Sequence, residues 1–321
     1  MPGVEDKLTP CPICHRVQTT LEFPEARGPA RSYPLVRCRS CDLVFQERLP
    51  SLEDPGPERA PTRVESQNRF APWLERVIRL FRLSRVRLAV QLMPTGGRAL
   101  DIGCGRGLYL RMLKERGYQV RGTEHSANAV PADPELTIDT GEVAPGRYPD
   151  ASFDLISIWH VLEHLPKPDV TLEACAHALE PGGALLIAVP NYGSTQARLG
   201  GERWFHLDLP RHIFHFTPPS LERLLRNHGF EIERCRTGQW EMDPFGLVQT
   251  VLNRMGLRHN GLFDTLRNDE AVKHDLSRLQ RGALLLLFPI GMALALPVSF
   301  LLRLLRRAGT LIVLARLRSG V

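Results

Sequence analysis

The sequence predicts an α/β protein built on a doubly wound parallel sheet, with a small cysteine-bearing module in front and an apolar helical insertion before the last strand. Three observations carry this. Short apolar runs alternate with helix-like stretches from about residue 64 onward. That alternation calls for right-handed crossovers and a sheet covered on both faces. The run "ALDIGCGRGLYL" (99–110) passes from a strand straight into a glycine-rich turn and a helix. The pairs "CPIC" (11–14) and "CRSC" (38–41) stand 23 residues apart near the start.

Taken in chain order, residues 1–48 form the cysteine-bearing module. Residues 49–63, with "LPSLEDPGPERAPT", are rich in Pro and lack periodicity, so they read as a linker. The main domain spans 64–321. It opens on "NRFAPWLERVIRLFRLSRVRLAVQLM", whose periodicity is that of an amphipathic helix. Strand-like runs follow at 98–103, 118–124, 152–159, 183–190 and 230–237. After the helical stretch "KPDVTLEACAHAL", the residues "EPGG" supply a stop; before "SLERLLRNHG", "TPP" supplies a start with Thr217 as N-cap.

Composition narrows the class. At 43% hydrophobic and 24% charged residues the chain is globular. The net charge is +6, and 37 of the 41 basic residues are Arg. Arg suits phosphates and anionic head groups, but composition alone does not select nucleic acid. "MPGVEDKLTPCPICH" lacks the basic start and apolar core of an export signal. With seven cysteines, this predicts reduced thiols and a cytoplasmic protein.

The glycine-rich turn is a cofactor-binding turn. Gly103, Gly105 and Gly107 let backbone approach a ligand where a Cβ would collide. The next strand ends at Glu124, placed to accept hydrogen bonds from two ribose hydroxyls. Asp101 precedes the first glycine, where nicotinamide-dinucleotide turns usually lack an acid. It suits a ligand carrying an ammonium or sulfonium charge.

"LDIGCGRG", Glu124, "YPDASFDLI" (148–156) and "LEPGGALLIAVPN" resemble, in order, the motifs of class I S-adenosylmethionine-dependent methyltransferases. The resemblance covers residues 70 to 240. "WHVLEHLPKP" (159–168) and "RWFHLDLPRHIFHFTPPSL" (203–221) narrow it to small-molecule enzymes of the ubiquinone-biosynthesis type. It implies a Rossmann-like sheet with its last strand inserted antiparallel, and S-adenosylmethionine as cofactor. Asp101 would then hold the methionine end, Gly103 and Gly105 would lie under it, and Glu124 would bind the ribose. Glu142 takes the position from which relatives contact the adenine amine.

A sulfonium methyl is already electrophilic, so the protein must align a nucleophile and remove a proton. "HVLEH" offers His160, Glu163 and His164 for that work. Positions 160 and 164 share a face if the turn is helical. Glu163 and His164 can equally cap or orient the local helix, and the quinone-type resemblance adds divalent-ion binding as a third role. His206, Arg211 and His212 lie where relatives build the substrate wall. Trp204, Phe205, Phe214 and Phe216 fit an aromatic lid as well.

The spacing of Cys11, Cys14, Cys38 and Cys41 suits a tetrahedral Zn²⁺ in a zinc-ribbon-like module. About 45 residues lack the core to fold alone, and a metal offsets that. Cys104, Cys175 and Cys235 read as small core residues. The insertion at 282–305 includes twenty uncharged residues, 283–302, interrupted by Pro289 and Pro297 and flanked by Arg. A strand at 309–317 follows. If that strand fills the antiparallel slot, a single membrane span is excluded. The expectation is a kinked, Pro-broken hairpin on the inner face of a membrane, with a homodimer interface or core helices as the competing reading.

The leading function is methyl transfer, with oxygen the expected target, to a small, lipid-linked or glycan acceptor. RNA methylation is the alternative enzyme, although "SIWHVLEH" lacks the Asn/Asp-Pro-Pro-aromatic turn of base amine methylation and the aromatic-rich basic patches of RNA readers are missing. A membrane-associated binding module with a vestigial cofactor site is the third class.

Overall fold

The computed structural model describes residues 6–7, 9–27, 32–48, 72–125, 133–266 and 276–318. The expected linker at 49–63 lies outside them.

The larger body is built on a seven-stranded sheet. Its strands are β5 (Arg98–Ile102), β6 (Gln119–Glu124), β7 (Ile138–Thr140), β8 (Phe153–Trp159), β9 (Leu179–Pro190), β11 (Phe230–Thr237) and β12 (Thr310–Leu317). Their spatial order is β11-β12-β9-β8-β5-β6-β7. The β5, β6, β7, β8 and β9 pairings are parallel. Strand β12 runs antiparallel to both β9 and β11, which is the inserted last strand the resemblance implies.

Period-two alternation explains the two covered faces. On β9, Leu185, Ile187 and Val189 join one core, and Ala184, Leu186 and Ala188 the other. The first core is closed by α3 (Pro168–Ala178) and α5 (Pro218–Asn227) through Leu172, Cys175, Leu221, Leu224 and Leu225. The second is closed by α1 (Pro72–Leu92) and α2 (Leu108–Lys114) through Val86, Ala89, Tyr109 and Leu113. Thr217 caps α5 in a reciprocal box with Ser220, and two prolines open the helix.

"EPGG" is not a helix stop. Helix α3 ends at Ala178, and Leu179 is already extended and paired with Phe153, so the glycines form an irregularity inside β9. Cys235 is also not a core residue: on β11 it faces out and is exposed, whereas Cys175 is buried and Cys104 is half-buried.

The cysteine module forms β1 (Asp6–Lys7), β2 (Thr19–Arg27), β3 (Ser32–Cys38) and β4 (Val44–Gln46). It shares a sheet with the body. Strand β4 pairs antiparallel with β10 (Phe214–His215). Thr217 Oγ1 donates to the Asp42 carbonyl at 3.1 Å, and Gln46 Nε2 donates to the carbonyls of Pro210 and His212. The module's Ile13, Val36 and Phe45 lie in the same core as β9 and α5.

Between β9 and β10 lies α4 (Thr195–Gly200); between β11 and β12 lie α6 (Asp243–Arg254), α7 (Gly261–Leu266) and α8 (Arg278–Leu304). The expected Pro-broken hairpin is instead the one continuous 27-residue helix α8, with Pro289 and Pro297 inside it. Ser277 and Gln280 cap its start reciprocally, and packing on α6 and α7 carries it through both prolines.

Candidate functional site

The C-terminal edges of β5, β6 and β8 lie side by side in the sheet, the usual ligand position in an open α/β sheet. Asp101, the fourth residue of β5, is 4% exposed. It lies in register with Ser157 on β8, whose Oγ donates to it at 2.5 Å. Burial pushes its carboxyl up to about 7, the Ser157 hydrogen bond and the Arg85 charge pulling against that. A buried carboxylate so poorly compensated is a place for a cationic ligand group. Tyr109 Oη and Trp159 Nε1 are buried without hydrogen-bond partners among the described residues, and Tyr109 packs edge-on against Trp159.

The glycines of the turn do different jobs. Gly103, at φ 71°, is required by packing: a Cβ there would lie 2.3 Å from Val161 Cγ2. Gly105, at φ 55°, has nothing within 4 Å of where its Cβ would stand. That face of the turn is open. Glu124, at the end of β6, accepts from the Gly105 N–H at 2.8 Å and the His125 N–H at 2.9 Å, so it ties the second strand to the turn. Glu142 is exposed, just past β7, next to Gly141, whose N–H donates to the Glu124 carbonyl.

Val161, packed under Gly103, carries the "HVLEH" segment to the same edge. His160 follows β8 with φ 55°, a left-handed conformation uncommon for a non-glycine residue. The helical turn is 3₁₀ and covers only Leu162–His164. His160 and His164 therefore do not share a face. The His160 Nδ1 stands 3.7 Å from Glu163 Oε1, and its Nε2 is 2.7 Å from the Gln239 amide. With that amide turned so that Arg85 donates to its oxygen, its nitrogen donates to His160 Nε2. His164 instead bonds the Arg211 carbonyl at 2.9 Å and packs edge-on against His212.

Glu163 is 1% exposed, and neither carboxylate oxygen has a hydrogen-bond partner among the described residues. Glu163, His164 and His212 offer atoms within 4.8 Å of one another, the donor set of a divalent cation.

Of the expected substrate wall, His206 and His212 are buried, and His212 Nδ1 contacts the His206 carbonyl at 2.7 Å. Burial lowers His206 to about 3 and His212 well below its ordinary value, so both are neutral. The Arg211 side chain lies half-exposed on the surface, 3.4 Å from Asp208, and only its carbonyl reaches the cluster.

Sequence reasoning missed the residues after β11. Gln239 reaches His160, and its backbone N–H donates to Asp243 Oδ2 at 3.0 Å. Asp243 accepts from Thr310 at 2.7 Å and is pushed up to about 6 by burial. Glu241 pairs with Arg85 of α1 at 2.6 Å, and Arg85 stacks on Trp159 at the end of β8. The available signal was "QWEMDP", whose Gln, Glu and Asp fall between the strand-like run at 230–237 and the apolar run that follows.

Cys11, Cys14, Cys38 and Cys41 come together as two sulfur pairs, Cys11–Cys41 and Cys14–Cys38, each at 3.5 Å, with all four sulfurs within 4.8 Å of one another. The hydrogen bond from Cys41 lowers Cys11 to about 5, whereas Cys38 and Cys41 are raised. Such crowding is relieved by a cation. Four thiolates on two tight turns fit tetrahedral zinc.

A family model described as "Methyltransferase domain" matches residues 68–234. The ubiquinone biosynthesis O-methyltransferase of Xanthomonas axonopodis pv. citri is 30% identical over 172 residues, covering 48% of this chain and 72% of that protein. The enzyme of the same name from Azoarcus sp. is 32% identical over 156 residues, covering 43% of this chain and 65% of its own length. Among solved structures, a SAM-dependent methyltransferase from Archaeoglobus fulgidus aligns with a TM-score of 0.48 at 18% identity, covering 74% of this chain and 94% of that one.

Proposed function

The chain belongs to the methyltransferase domain family, and from that premise we propose that this S-adenosylmethionine-dependent enzyme methylates a hydroxyl group of a small acceptor. The similar proteins carry the name ubiquinone biosynthesis O-methyltransferase, which favours oxygen as the atom methylated. A lipid-linked or glycan acceptor is the wider class.

The observation that carries the reading is the undercompensated Asp101 carboxylate beside the open face of Gly105. Asp101 would take the cofactor's ammonium, Gly105 would give it backbone room, Glu124 would hold the ribose, and Glu142 would lie by the adenine. When bound, the cofactor supplies an electrophilic methyl group. The chain's residues then have two tasks: aligning the acceptor oxygen and accepting its proton. His160 Nε2 is the proposed base. Glu163 faces the opposite ring nitrogen and would stabilise the imidazolium formed. Gln239 holds His160 Nε2 until an acceptor hydroxyl replaces it. The neutral, buried His206 and His212 would form the acceptor wall, and the polar network of Asp243, Thr310 and Gln239 would keep His160 in place. The four-cysteine cluster is proposed to hold one structural Zn²⁺, fixing the module against β10.

The test is transfer of a labelled methyl group from S-adenosylmethionine to catechol-type phenols, and to lipid, glycan and RNA fractions. Label in the phenolic or lipid fraction supports the reading. Label confined to RNA refutes it.

A further inference from the structure

Helix α8 does something the catalytic fold does not need. Its sequence meets the length and composition of a membrane-crossing helix, yet only 17% of its apolar window is buried. Leu279, Leu286, Ile290, Leu294, Leu301 and Leu304 are 54–84% exposed. Their spacing keeps them on one face of the helix. The opposite face, with Leu284, Ala295, Ser299 and Leu302, is buried, mainly against α6 and α7. The result is an apolar stripe about 40 Å long, from 27 residues at ~1.5 Å each.

We infer that this stripe lies flat on an anionic phospholipid bilayer, in the plane of the head groups. Charge selects the occupant. From residue 278 to 321 the sequence holds seven Arg and no Asp or Glu. Arg278, Arg281, Arg303, Arg306 and Arg307 bracket the stripe, set to reach phosphates at both ends. A second copy pairing through α8 in either direction would bring Arg against Arg with no acid on the element to answer it. Trp240 stacks on Phe300 and sits under Arg303, putting an amphipathic ring at the C-terminal edge of the stripe.

The same neighbours exclude a transmembrane placement. Val248 of α6 packs at Gly291, and Gly261 of α7 lies against Leu284. A spanning α8 would carry into hydrocarbon the exposed Arg254, the Arg258–Asp264 pair and the Gln249–Asn253–Asn260 network. The two prolines also remove the donors that would serve the carbonyls of Leu285 and Ala293, which water or head groups satisfy and lipid chains do not.

The inference does not rest on the acceptor reading, and its test reads no methyl transfer. The full chain is sedimented with phosphatidylcholine vesicles, with and without phosphatidylglycerol. It should pellet with the anionic vesicles, and alkaline carbonate should release it. Ile290→Glu with Leu294→Glu should lower the bound fraction at least about tenfold, with the far-UV spectrum and S-adenosylmethionine affinity unchanged. Arg278→Gln with Arg281→Gln should weaken the preference for phosphatidylglycerol. The inference is overturned if the wild-type chain stays in the supernatant, if it resists carbonate, if the Glu pair pellets like wild type, or if that pair instead turns a vesicle-indifferent dimer into a monomer.

Discussion

Replacing Asp101 by Asn should make the ligand-free protein more stable and the cofactor complex weaker. Burial holds the Asp101 carboxyl at about 7 against an ordinary 3.8. That difference is about 4 kcal/mol against the charged form. Below 3.8 the carboxyl is neutral in both folded and unfolded chains, so nothing is lost. As pH rises towards 7, the unfolded chain ionises freely and the folded one does not, so stability falls. Above 7 the whole penalty stands. Asn is isosteric and keeps an oxygen for the Ser157 hydroxyl, but its amide hydrogens lack a built partner, which costs about 1–2 kcal/mol. The net gain at pH 8 is about 2 kcal/mol, or roughly 4 °C in melting temperature. S-adenosylmethionine should bind roughly 30- to 150-fold more weakly, through the loss of a charge-assisted contact worth about 2–3 kcal/mol. Wild-type affinity should fall as pH drops below about 7, and the variant should lack that dependence. Calorimetric melting and isothermal titration from pH 5 to 8 test both halves. An Asn variant that melts lower and binds as well as wild type would refute the reasoning.

The two turn glycines should part company. Gly103→Ala drives a methyl into Val161 and should destabilise the fold by about 2 kcal/mol or more, seen in denaturant melts. Gly105→Ala costs only about 1–2 kcal/mol of left-handed strain but fills that open face, so cofactor affinity should fall further than stability. His160→Gln should lower kcat by about 10²–10⁴-fold with cofactor affinity unchanged by titration, since its ring touches Gln239 rather than the glycine turn. Purified protein should contain one zinc per chain by metal analysis, and stripping it with a strong chelator, or Cys38→Ser, should lower the melting temperature. A metal-free protein with unaltered melting would remove the zinc proposal.

The sheet and its glycine turn were legible because their signals are local. Alternation wrote β8 and β9, and "DIGCGRG" specified a turn only glycines make easily. Thr217 announced its own helix. What escaped depends on distant partners. Nothing near His160 says that Gln239, 79 residues on, will hold its ring. Asp243 opens α6, and its partner Thr310 lies 67 residues on, in β12. The module looked separate because strand β10, its sheet partner, comes some 170 residues later and is only two residues long. Prolines in α8 read as breaks because the packing that sustains the helix lies on α6 and α7. Arg211 read as part of the substrate wall because its place in the sequence was visible and its outward direction was not.

The measurement closest to the central claim is a titration of the ligand-free protein with S-adenosylmethionine, run beside NAD. One saturable site per chain for S-adenosylmethionine, with no heat from NAD and the site lost when Glu124 and Asp101 are both made neutral, is the result expected. Silence with S-adenosylmethionine, or saturation by the dinucleotide, would mean that the glycine turn serves a different ligand and that the assignment of every residue around it is wrong.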